Sequence, residues 1–168
     1  MATRWLSADE ELAWRAFRRL LTTLPARLAR DLTADTGLSM TDYEVLSTLS
    51  EKPDRRWALK DLAAKMEWSR SRLSHHTTRM QDRGLIDREP DPTDARGCLL
   101  KLTDTGYTVL EQAAPAHLAS VRDRFLDHLD PAELDLLGRL STRIADLPDD
   151  RTQRGGRERA APGRLADR

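Results

Sequence analysis

The stretch Leu59–Thr103, LKDLAAKMEWSRSRLSHHTTRMQDRGLIDREPDPTDARGCLLKLT, decides the fold of this chain. Leu62, Ala63 and Met66 fall on one side of a two-turn helix over Leu59–Met66. Ser69 follows, where its hydroxyl can accept a bond from a first-turn amide of a second helix. In that second helix Leu73, Thr77 and Met80 share an inner side. Arg70, Ser71, Ser74, His75, Thr78 and Arg79 share the outer one. Gly84 is placed to end the helix in the left-handed conformation. Leu85–Glu89 and Cys98–Leu102 then alternate as the strands of a hairpin, and Pro90, Pro92 and Gly97 mark the loop between them.

A rigid rod carrying short polar and cationic side chains along one side suits the major groove of DNA, where base edges present donors and acceptors. Arg70 and Arg72 lie in its first turn, within reach of guanine edges or phosphates. Ser69, Ser71, Ser74 and Thr78 can bond either, His75 is on the outer side, and Arg79, two turns on, is placed to grip the backbone. His76 is angled toward the body of the domain. The hairpin loop carries Arg96, and a narrow minor groove concentrates the negative potential that favours a guanidinium. Asp94 would repel phosphate if unpaired, so its expected role is to hold Arg96 or another arginine in place. The plainer alternative is an ion pair at a loop tip, worth little.

Outward from this unit the pattern is helical. Leu12, Ala16, Phe17, Leu20, Leu21, Leu24, Leu28 and Leu32 recur at steps of three and four, which describes a long amphipathic helix ending near Gly37. Pro25 inside it predicts a kink near Leu21–Leu24. Thr41 and Glu44 read as a capping box before Val45, Leu46 and Leu49, and Trp57 as part of a short edge strand. After the hairpin, Thr103 or Asp104 caps a long helix bearing Tyr107, Leu110, Leu118, Val121, Phe125 and Leu129, with a second kink expected at Pro115. Asp130, Pro131 and Glu133 start a last helix lined by Leu134, Leu137, Leu140, Ile144 and Leu147. Residues 149–168 have no periodicity and are expected to be disordered.

The chain of 168 residues has no net charge, with 28 basic and 28 acidic side chains. Distribution matters more than the sum: Ser69–Arg83 carries Arg70, Arg72, Arg79 and Arg83 against Asp82, a local cationic footprint. No apolar run is long enough for a bilayer, and acidic residues occupy the N-terminus where a signal peptide needs an apolar core, so a soluble cytoplasmic protein is expected. The single cysteine, Cys98, excludes an internal disulfide framework. It reads as a small apolar strand residue, with a redox sensor as the alternative. No phosphate-cradling glycine loop, nucleophile elbow or metal-ligand spacing is present, so neither an enzyme nor a metal site is expected, and no cofactor.

The order of elements resembles the MarR family of bacterial transcriptional regulators. Gly84, Leu85, Ile86 and Arg88 match that family's turn into the wing, Asp94, Arg96 and Gly97 its wing tip, and Leu102 and Thr103 the strand end that leads into the long helix. The resemblance covers roughly Leu12–Leu147. It implies a mainly α fold, a winged helix-turn-helix with N- and C-terminal dimerisation helices. The organisation is then a dimerisation helix over 1–37, a DNA-binding domain over 38–105, dimerisation helices over 106–147 and a tail over 148–168. It further implies a homodimer on double-stranded DNA with a palindromic operator, usually as a repressor, released in many members by a small aromatic or phenolic ligand. Some members sense oxidants through a cysteine near the N-terminus, and this chain has none there. A ligand pocket is expected where the dimer helices meet the winged unit, with Trp5, Trp14, Arg15, Arg18, Tyr43 and Trp57 as its candidate lining. Trp14 and Trp57 read equally well as packing residues. The alternative to operator binding is a winged-helix module that contacts an acidic protein.

Overall fold

The computed structural model describes residues 4–92, 94 and 97–147. Helix α1 (Ala8–Thr36) begins at a capping box of Ser7 and Glu10 and ends at Gly37, whose φ of 72° is the left-handed conformation a helix terminus favours. It runs unbroken through Pro25. Helix α2 (Met40–Ser50) is capped by Ser39, which accepts from the Asp42 amide at 3.1 Å. The expected Thr41–Glu44 box is therefore replaced by a hydroxyl two residues earlier, so α2 starts two residues sooner than a Thr41 cap implies. Strand β1 (Arg56–Ala58) leads directly into α3 (Leu59–Lys65). Helix α4 (Arg70–Asp82) is capped by Ser69 as its sequence predicts, and Gly84, at φ 70°, turns the chain out of it.

Strands β2 (Ile86–Pro90) and β3 (Cys98–Leu102) form the hairpin, in antiparallel register from Ile86 opposite Leu102 to Pro90 opposite Cys98. β1 adds to the other edge of β3, giving the order β1-β3-β2 with Trp57 opposite Leu100. Thr103 caps α5 (Asp104–Arg124) and also donates its hydroxyl to Gly84 O at 2.8 Å, locking the helix start onto the turn below α4. At Gly106 a Cβ would sit 2.0 Å from Leu85 O, so only glycine lets α5 cross the chain so closely.

The core of this unit gathers Leu46 and Leu49 of α2, Leu62 of α3, Leu73 and Met80 of α4, and Ile86 and Leu100 of the sheet, all fully buried. Each such side chain contributes about 1.5–3 kcal/mol before chain entropy is counted. Thr77, also fully buried, is satisfied by donating to Leu73 O at 2.8 Å, so a polar residue on the inner side of α4 carries no unmet bond. The apolar stripe of α1 is covered only at its C-terminal end. Leu32 is buried and Leu24 and Leu28 half-buried, but every residue from 4 to 22 is exposed.

The expected long helix through Leu129 is shorter. α5 closes at Phe125, whose amide bonds back to both Val121 and Arg122 carbonyls, and a 3₁₀ turn over Leu126–His128 follows. The first unit ends at His128. The second begins at Leu129 and contains α6 (Pro131–Ala145), with a capping box of Asp130 and Glu133. Leu134, Leu136, Ile144 and Leu147 of that unit are exposed. No described helix is long and apolar enough to cross a membrane. The expected tail over 148–168 lies outside the described residues.

Candidate nucleic-acid interface

Helix α4 is held by its inner side and presents the opposite one. Leu73, Thr77 and Met80 are buried, while Ser69, Arg70, Ser71, Arg72, His75, Thr78 and Arg79 are exposed and Ser74 is half-buried. Ser69 Oγ accepts from the Arg72 amide at 3.2 Å, which fixes the first turn. The Arg72 guanidinium stacks on the Trp68 ring, 3.9 Å from its centroid. Arg70 and Ser71 border a cleft of about 380 Å³ with Lys60, Ser74, Arg88 and Cys98, between the helix pair and the hairpin.

Arg88 of β2 is the residue that sequence reasoning left without a role at this surface. Its Nη1 donates to Thr78 Oγ1 at 3.1 Å and to Ser74 O at 3.3 Å, and Nη2 lies 3.4 Å from Ser74 Oγ. Two hydroxyls expected to face a ligand are thereby engaged by the hairpin, and Arg88 sets the angle between strand and helix. Its place in the turn-to-wing pattern is the only signal that pointed to it.

The hairpin loop is shaped by main-chain bonds. The Gly97 amide donates to Asp94 O at 2.7 Å, and the Asp94 amide to Asp91 O at 3.2 Å. A Cβ on Gly97 would come within 2.8 Å of Asp91 Cβ, so glycine permits this closure. The Asp94 carboxylate lies 3.6 Å from Lys60 Nζ on α3, a cation the sequence did not indicate as its partner. Arg96, with Thr93 and Ala95, lies outside the described residues.

Behind α4 a polar clasp joins it to α2. Arg83 donates Nη2 to Asp42 Oδ1 at 2.7 Å and Nη1 to Oδ2 at 3.0 Å, a bidentate pair. His76 Nε2 lies 2.9 Å from Asp42 Oδ1, but in a direction outside hydrogen-bond geometry, and Arg79 Nη2 reaches His76 Nδ1 at 3.2 Å. Burial alone would raise the Asp42 carboxyl. The hydrogen bonds from Arg83, with help from Ser39, outweigh it and hold the group below the ordinary carboxylate range. Burial pushes His76 down, and the pull of Asp42 does not restore it, so the imidazole stays neutral and can accept from Arg79. His76 is thus turned inward, as its helical position predicts.

The six candidate pocket residues are not gathered at one place in this chain. Trp5 and Trp14 are exposed at the start of α1, where Arg15 pairs with Glu11 at 2.6 Å and Arg18 is exposed. Trp57 sits on the sheet edge with Lys52 Nζ 4.1 Å above its ring. Tyr43 alone of the six lines a cleft of about 430 Å³ between α1, α2 and α5, beside Leu24, Leu28, Met40 and His117. Periodicity marks the apolar side of α1 but not which of its turns α2 and α5 reach. Among the described residues no group of His, Cys, Asp and Glu side chains could hold a metal ion.

The model of the MarR family matches residues 38–98, which span α2 to the start of β3. The transcriptional regulator HosA of Escherichia coli O111:H- is 31% identical over 133 residues, covering 79% of this chain and 93% of HosA. Among solved structures, AbsC, a MarR family transcriptional regulator from Streptomyces coelicolor, is 40% identical with a TM-score of 0.81, over 86% of this chain and 97% of AbsC. Sco3205, a MarR family transcriptional regulator from the same organism solved in complex with DNA, is 38% identical with a TM-score of 0.83, over 88% of this chain and 94% of Sco3205. The fold thus recurs in these solved regulators, and this chain belongs to the MarR family of transcriptional regulators.

Proposed function

We propose that this chain is a sequence-specific DNA-binding repressor that acts as a homodimer on an inverted-repeat operator and is released by a small ligand. The observation that carries this reading is the outer side of α4. Arg70, Ser71, Arg72, His75 and Arg79 are all exposed along one helix whose opposite side is locked into the core. Arg70 and Arg72 of the first turn serve as base or phosphate contacts in the major groove, and Arg79 as a backbone contact. Arg96 serves in the adjacent minor groove. The DNA complex of Sco3205 supports the same use of the fold.

Dimerisation is supported by what the first unit leaves uncovered. Leu12 is 70% exposed, Leu21 55% and Leu118 60%, with Trp14 and Phe17 about half exposed beside them. Large apolar side chains exposed in this number mark an interaction site, and pairing with a second copy about a two-fold axis covers them on both chains at once. Two α4 helices then enter successive major grooves roughly 10 base pairs apart, or a small multiple of that.

Ligand release is supported by the place of α2. One side of it lines the 430 Å³ cleft through Met40, Tyr43, Glu44, Ser47 and Thr48, and Asp42 on the same helix clasps α4. A molecule seated in the cleft moves the helix that holds the recognition surface. A footprint on the DNA flanking the protein's own gene, repeated at several salt concentrations, tests the whole. A protected inverted repeat whose occupancy falls with salt is expected, and uniform cleavage throughout would overturn the reading.

A further inference from the structure

The cleft between α1, α2 and α5 has apolar walls from Leu24, Leu28 and Met40 and an aromatic side where the Tyr43 and His117 rings lie 4.5 Å apart. Among the described residues its formally charged lining is a single carboxylate, Glu44, which is exposed. Among the described residues no lysine or arginine lines it, and Glu44 makes no ion pair. Burial pushes His117 down, against the pull of Glu44, so the imidazole is neutral, and its Nδ1 is buried with no hydrogen-bond partner. Burial also pushes the Tyr43 phenol up, so its hydroxyl keeps its proton.

The local charge is therefore negative. A carboxylate entering here loses hydration and meets Glu44 with no counter-cation. An ammonium keeps its head at the exposed Glu44 while the apolar body lies on the rings and aliphatic walls. We infer that the effector of this chain is a cationic aromatic amine, seated with its ring against Tyr43 and His117 and its ammonium beside Glu44. This rests on the cleft being the effector site.

The test is calorimetric titration of the full chain with three probes that share a phenylethyl body: 2-phenylethylamine, 2-phenylethanol and 3-phenylpropionate. The amine binds tightest, the alcohol roughly threefold to fivefold weaker and the carboxylate roughly tenfold weaker or more, the range expected for one solvent-facing charge pair. Glu44→Gln brings the amine down to the alcohol. A carboxylate that binds as well as the amine, an amine preference that survives Glu44→Gln, or no binding of the amine at millimolar concentration would overturn the inference. Operator affinity is measured in the same preparations without probe. If it is intact while the amine fails, the inference falls and the DNA-binding reading stands; if it is absent, that reading falls.

Discussion

Asp42 of α2 and Arg83, the residue that caps the end of α4, share two hydrogen bonds of 2.7 and 3.0 Å across the back of that helix. The carboxylate is almost wholly buried, whereas the guanidinium is about half exposed, with side-chain exposures of 5% and 48%. Removing Arg83 therefore leaves a buried charge without its main counter-ion, while removing Asp42 leaves a cation that can turn to water. Arg83→Ala should cost about 1–3 kcal/mol of stability, and Asp42→Asn less. The double variant should lie closer to the milder single one than additivity allows. Urea unfolding of the four proteins measures this, and strictly additive losses would show that the pair is not coupled.

The same clasp makes stability depend on pH with a definite sign. Asp42 and His76 both sit below their ordinary values of 3.8 and 6.5 in the folded chain. The unfolded chain then binds more protons than the folded one, so stability rises with pH through each window. The contribution of His76 is complete above 6.5 and is lost as pH falls through its folded value; that of Asp42 is complete above 3.8 and is lost below it. Urea midpoints should decline from about pH 7 to about pH 5 and drop further in stronger acid. His76→Gln should lessen the first part only, leaving the share of His117, which burial also pushes down. A midpoint that rises on acidification would contradict the assignment.

Arg88 engages Thr78 Oγ1 at 3.1 Å and Ser74 O at 3.3 Å, which ties the hairpin to α4. Arg88→Ala should weaken operator binding about tenfold while leaving the salt slope nearly unchanged. Arg70→Ala should lower both affinity and slope, the latter by about one unit if a phosphate contact is lost. Fluorescence anisotropy on a labelled operator at several salt concentrations separates the two. Equal loss of slope in both variants would make Arg88 a direct phosphate contact.

Much of this architecture is legible locally. Ser69, Thr103 and Asp130 cap the helices their neighbours predict, and Gly37 and Gly84 take the left-handed turns, because each signal acts within a few residues of itself. The cap of α2 was misplaced because Ser39 and Thr41 are both competent hydroxyls and only tertiary packing selects between them. The break after Arg124 was hidden because Phe125 and Leu129 continue the apolar spacing of α5 across a change of helix type. Contacts between distant segments had no local trace. Arg88 on Ser74, Asp42 on Arg83 and Lys60 on Asp94 all depend on how the sheet and helices close. The outer side of α4 was readable, since helical periodicity alone separates it from Leu73, Thr77 and Met80.

The uncovered stripe of α1 gives a test of assembly. Phe17 and Leu21 are 48% and 55% exposed, so a charge at either position costs the isolated chain little and a paired interface much. Sedimentation equilibrium should report a dimer at micromolar concentration for the natural chain and a folded monomer for the double variant Phe17→Glu, Leu21→Glu. A natural chain that sediments as a monomer would remove the two-fold operator geometry.

In the proposed dimer, paired α4 helices recognise a particular duplex. Competition binding measures it most directly: a labelled duplex carrying the footprinted inverted repeat is displaced by the same unlabelled duplex or by random sequence of equal length. At moderate salt and without added ligand, the specific competitor should be about a thousandfold more effective than the random one. Equal displacement by both would show that the α4 helices do not discriminate sequence.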